Sequence, residues 1–172
     1  VVALALVALL AITEQFVVQH ELVQGAQDGH EVNLAGRQRM LSQRITTEAL
    51  AASFGEPYDG QAFRADIEEL HRVHRGLLLG NDSLKLAGFT GSPLQATLES
   101  LGPELERVDH EAERLATALS LEDAETARDA ARRIRSTVDR FLPVMDGLAY
   151  SLDTRSAQAN VQVRATELGL FV

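Results

Sequence analysis

Apolar residues at Phe63, Ile67, Leu70, Val73 and Leu77 recur at spacings of three and four. That period puts all five on one stripe of an α-helix. Leu34, Gln38, Leu41, Ile45 and Ala49 also share one helical face, with glutamine as its one strongly polar member. Each stripe needs another helix to cover it. Ala, Leu, Glu, Arg and Gln dominate the 172 residues and aromatics make up 5 %, which favours helices over sheets. The expected fold class is therefore all-α, with room for one domain.

Charge and the chain ends narrow the setting. A net charge of -9 argues against a nucleic-acid partner and disfavours an anionic membrane surface. There is no cysteine, which removes disulfides, thiolate metal sites and a thiol nucleophile. Val1 to Ile12 is an unbroken apolar run, followed by Thr13-Glu14-Gln15 and a second apolar patch at Phe16-Val17-Val18. Twelve helical residues reach about 18 Å, short of the ~30 Å hydrocarbon core. No basic n-region or small-residue cleavage site accompanies the run, so a signal peptide is the weaker reading. Residues 1–18 are read as the end of a transmembrane helix cut short, and 168–172 as the start of a second. Between them, 19–167 form the expected domain. An acidic helical domain flanked by two spans describes the extracytoplasmic module of a receptor in the inner (cytoplasmic) membrane, facing the periplasm or the cell exterior.

The punctuation of the chain sets four main helices. The first is expected to run on from the apolar start to about Phe54, with weak points at Gly25 and Gly29, and to stop in the Gly- and Pro-containing stretch to Gly60. The second covers Gln61 to Leu79. A turn-rich loop then runs from Gly80 to Gly91. Ser92, Pro93 and Gln95 read as N-cap, N1 and N3 of a third helix, with Gln95 reaching back as a capping box. That helix continues to about Leu119 with a kink near Gly102-Pro103. Ser120 with Asp123 resembles a further N-cap, and the fourth helix extends nearly to the end with a break or kink at Pro143.

Asn33-Leu34-Ala35-Gly36-Arg37-Gln38-Arg39-Met40-Leu41-Ser42-Gln43-Arg44 bears most directly on function. Val32 through Thr47 holds three arginines and no acid, in a chain with 25 acids and 16 bases. A basic, glycine-containing island in an acidic chain points to a small anion. Val32, Ala35, Gly36, Arg39, Gln43 and Thr46 form a stripe roughly opposite the apolar one. Gly36 costs about 1 kcal/mol relative to alanine inside a helix, so a close approach by another helix is expected there. If that helix is the same one from a second copy, a two-fold axis brings Arg39 near its own copy. Two guanidiniums at ~4 Å repel by on the order of 4 kcal/mol at an effective dielectric of 20. A small anion between them reverses the sign and accepts forked hydrogen bonds from both. The competing reading leaves these arginines on a solvated face, paired with Glu31, Glu48 or acids of neighbouring helices.

The run from Asn33 to Arg44 closely resembles the signature of the PilJ/NarX-like sensor domain. This is the N-terminal module of type IV pilus chemotaxis transducers, found also in nitrate/nitrite sensor kinases and related chemoreceptors. Weaker similarity covers the segment around Leu77 to Gly91 and Leu142-Pro143-Val144-Met145-Asp146. The resemblance implies a periplasmic antiparallel four-helix bundle that dimerises through its first helix. It also implies, for nitrate-binding members, an anion on the two-fold axis held by one arginine from each subunit. By motif position that arginine is Arg39, with Ala35 and Gly36 beside it and Asn33 and Arg37 as further ligand-binding candidates. Val32, Gly36, Arg39, Gln43 and Thr46 are the implied dimer interface. The nitrate kinases lack an arginine directly after the glycine, whereas Arg37 stands there in this chain, as in the PilJ-type version.

Other constellations carry less. Glu68 to His74 holds an i, i+3 histidine pair and one Glu-x-x-His spacing, but a di-iron bundle needs two. A solvated polar face is the better reading of His71 and His74. Acids and arginines alternate from Asp123 to Arg135 at helical spacing, as exposed pairs worth a few tenths of a kcal/mol each. No nucleotide loop, nucleophile elbow, zinc helix motif or paired-carboxylate cleft is present. The expectation is a dimeric sensor that is not an enzyme, takes no cofactor or metal, and binds nitrate, nitrite or a similar small anion. The alternative is a ligand-free module that senses a protein partner such as a pilin.

Overall fold

A computed structural model of the chain describes the backbone of residues 29–169 and the side chains of residues 29–154. The described residues are helical apart from their connections. Helix α1 covers 29–53, α2 Gly60–Leu79, α3 Gln95–Glu99, α4 Gly102–Ser120 and α5 Ala124–Gly169. Residues 33–150 form one compact unit, and residues 1–32 with 151–172 another. In the second unit the described backbone, residues 29–32 and 151–169, is helical throughout. The apolar stretch at 1–18 lies outside the described residues, as do the side chains of 168–172. Among the described residues no helix is long and apolar enough to cross a membrane.

Within the 33–150 unit the helical stripes form the core as their spacing requires. On α1, Leu34, Gln38, Leu41, Ile45 and Ala49 are all buried, and on α2 so are Phe63, Ile67, Leu70, Val73 and Leu77. Leu105, Val108 and Leu115 of α4, and Ile134, Val138, Phe141, Met145 and Leu148 of α5, form further buried rows. Ion pairs give the directions. Arg37 meets Glu69 whereas Arg44 meets Asp66, so α1 and α2 run antiparallel. Arg114 meets Asp129 whereas Arg140 meets Glu104, so α4 and α5 do as well.

Local chemistry explains the helix ends. At the end of α1 the amide of Gly55 donates to Ala52 O and that of Glu56 to Ala51 O, each at 3.0–3.1 Å. Gly55 has φ 88°, so this is a Schellman cap. The Asp59 carboxylate accepts from the amides of Gln61 and Ala62 and starts α2. The loop after α2 folds back on it: Asn81 and Leu86 form a two-hydrogen-bond bridge, and the Phe89 amide donates to Leu77 O at 2.8 Å. Leu84, Leu86 and Phe89 are buried as a result.

Four expectations need correction. The single third helix is two, because the chain breaks at Ser100-Leu101 and Pro103 opens α4 rather than kinking a continuous helix. Proline has no amide to lose in a first turn, which makes that position its least costly one. The capping box is also shifted: Ser92 Oγ accepts from Leu94 N, but Gln95 Oε1 accepts from the Gly91 amide rather than that of Ser92. At the last junction Asp123 caps α5 through the Thr126 amide and hydroxyl, while Ser120 donates to Thr117 O within α4. Beyond it, α5 runs without interruption through Pro143, which sits on an exposed side of the helix.

Candidate functional site

Arg37 and Arg39 are two residues apart on a helix and therefore point about 200° apart. The structure uses both directions. Arg37 reaches toward α2 and pairs with Glu69 at 2.9 Å. Arg44, two turns later on that side, grips Asp66 through Nε and Nη2 together, with Glu48 at 3.8 Å. The Asp66 carboxylate is 10 % exposed, so the forked contact supplies the partner a buried carboxylate requires. Glu69 is held below the usual carboxylate range by a hydrogen bond from Arg72, burial opposing, with the Arg37 and Arg72 charges adding to the effect. These two island arginines strap α1 to α2.

Arg39 faces the other way, toward α5. Its Nη1 lies 3.3 Å from Asp146 Oδ1, and each side chain is 54 % exposed. Around it on α1, Asn33, Gly36, Met40 and Gln43 are exposed, and an added Cβ at Gly36 would meet nothing within 4 Å. Thr46 is half-buried, and its hydroxyl donates to Ser42 O. Val32 is half-buried and falls in the other compact unit. Ala35 departs from the expected stripe. It is 1 % exposed and belongs to the core row with Leu34 and Gln38. One residue step is about 100°, so Ala35 turns inward while Gly36 turns out. The structure thus brings Gly36, Arg39 and Gln43 to one open surface, with Arg37 directed to α2 and Ala35 buried.

Sequence reasoning did not find Asp146 as the partner of Arg39. Asp146 stands in the segment that resembles the family, but its partner is more than one hundred residues away, so no local pattern could pair it with Arg39. The second histidine also needs correction. His74 is 5 % exposed, lies on the inner side of α2 and has a buried Nδ1 without a hydrogen-bond partner. Burial, reinforced by the His71 charge, lowers its pKa to about 4. It is a neutral core group rather than part of a solvated face. His71 pairs with Asp109 of α4 at 2.8 Å. Among the described residues no group of three or more His, Cys, Asp or Glu could hold a metal ion.

An open groove of 1350 Å³ runs between α2 and α4. Tyr58, Phe63 and Ile67 form part of its floor, and Arg64, Arg75, Glu68 and Glu113 stand along it. Its charges are mixed, and the His71–Asp109 pair lies in its lining. Burial raises the Tyr58 pKa, with Arg64 opposing.

The chain is similar to known proteins. The sequence profile described as type IV pili methyl-accepting chemotaxis transducer N-term, PilJ, matches residues 22–134. Among solved structures, the chain is similar to the ligand-binding domain of the P. aeruginosa nitrate receptor McpN. That likeness has 21 % identity and a TM-score of 0.45, over 66 % of this chain and 94 % of that one. No curated protein matches. The profile match spans more than half of the 172 residues, and with the all-helical fold it shows that the chain belongs to the PilJ family of chemotaxis-transducer N-terminal sensor domains.

Proposed function

We propose that the chain is the extracytoplasmic sensing domain of a bacterial transmembrane receptor and binds a small oxyanion, nitrate or nitrite first among them, between two copies. The observation that carries this reading is the direction of Arg39. Arg37 and Arg44 are committed to acids of α2, whereas Arg39 stands on the open face beside Gly36, where an added Cβ would meet no neighbour within 4 Å. A second copy of α1 seated on that face would bring two Arg39 guanidiniums together. Their repulsion would be relieved by one anion that takes hydrogen bonds from both. The apolar segments at 1–18 and 168–172 support placement in the inner membrane, with the bundle outside it. Binding would shift α1 relative to α5 by no more than the anion's difference in affinity between the two arrangements allows.

One observation favours the rival reading, a ligand-free module that senses a protein partner such as a pilin. Arg39 has an acid of its own in Asp146, so the island is electrostatically satisfied within one chain. Calorimetric titration of the 172-residue chain in detergent micelles with nitrate, nitrite, chlorate and chloride separates the two. The anion reading predicts heat with nitrate or nitrite at or below millimolar concentration, and its loss in Arg39→Ala. No heat with any of the four overturns the reading, and unchanged binding by Arg39→Ala overturns the site.

A further inference from the structure

We propose that Asp146 is an intramolecular competitor for the anion, occupying Arg39 in the unliganded chain and setting the concentration at which the domain responds. The inference rests on the reading of Arg39 as the anion's ligand. Its warrant is the contrast among three ion pairs on one helix. The carboxylates paired with Arg37 and Arg44 are 18 % and 10 % exposed, and Arg44 holds its acid through two nitrogens. The Arg39–Asp146 contact is longer, at 3.3 Å, with both partners 54 % exposed. Solvated single-point pairs of this kind are worth little and exchange readily.

A carboxylate and a nitrate are close in chemistry. Both are planar oxygen anions of one negative charge, and both accept the same guanidinium donors. The carboxylate has the advantage of being tethered. Met145 and Leu148, each 1 % exposed, fix that turn of α5 in the core and hold Asp146 beside Arg39. A tethered competitor acts at an effective concentration of about millimolar, so it raises the concentration of free anion needed to occupy Arg39. Displacement has a mechanical consequence, because this pair spans α1 and α5. Ligand arrival and release of an α1–α5 tie become one event.

From the usual worth of exposed pairs, Asp146→Asn is expected to tighten nitrate binding by roughly three- to tenfold. Two controls separate contact from general charge. Asp146→Glu keeps the carboxylate and should bind nitrate no tighter than the parent. Asp139→Asn removes an acid two turns away on the same side of α5, 63 % exposed and paired with Arg135, and should change affinity by less than about twofold. Each variant is titrated with nitrate as the 172-residue chain in detergent, with circular dichroism to confirm folding. If the parent binds through Arg39 and Asp146→Asn is unchanged or weaker, the competitor role is wrong while the anion site stands. Equal tightening by Asp139→Asn also overturns it. If neither the parent nor Asp146→Asn binds nitrate, the anion reading fails and this inference with it.

Discussion

Single residues in this bundle carry opposite electrostatic assignments. Arg44 rescues a buried carboxylate, Arg39 stays in water, and His74 is buried without a charge. The histidine makes a prediction about acid. Its pKa falls from 6.5 in the open chain to about 4 in the fold, so the unfolded state takes up the proton first. Stability from this group is therefore complete above pH ~6.5 and is lost as pH drops toward 4, by at most about 3 kcal/mol. Urea unfolding at about pH 7 and about pH 5 should show the loss in the parent, and His74→Leu should remove most of it. An equal loss in His74→Leu would move the cause to another group. The helical spacing carried the signal: His74 stands seven residues after Ile67 and four after Leu70, on the buried stripe, whereas His71 points about 60° to its side.

Elements were the most legible scale. The apolar stripes of α1 and α2 are buried member by member, because a helical period dictates one face whatever packs on it. Boundaries that depend on competing caps were not legible. Asp123 took the role shared with Ser120, since its carboxylate accepts both an amide and a hydroxyl from Thr126. Two glycines test what the elements require. Gly88 has φ 83°, and an added Cβ would lie 2.3 Å from the Gly80 amide nitrogen, so Gly88→Ala should destabilise by about 2 kcal/mol or more. Gly36 lies in an open helical position, and Gly36→Ala should stabilise the isolated chain by about 0.5–1 kcal/mol. Thermal unfolding of both variants checks the contrast. If the Gly36 face is also a close-packed seam, the same alanine should weaken self-association.

At the scale of the whole molecule, the proposed sensing site belongs to two copies rather than one. The basic island is visible in the sequence as a charge anomaly, and helical projection alone separates Arg39 from Arg37. The acids that meet them are not visible there, because Glu69, Asp66 and Asp146 come from other helices and only tertiary packing chooses among 25 candidates. A ligand shared by two Arg39 side chains binds the dimer in preference to the single chain, so mass action couples its concentration to self-association. Sedimentation velocity of the 172-residue chain in detergent, with and without millimolar nitrate, measures that coupling directly. The expected result is a shift toward dimer with nitrate, saturating at one anion per two chains and absent in Arg39→Ala. A sedimentation profile unchanged by nitrate, or saturation at one anion per chain, would contradict the shared site.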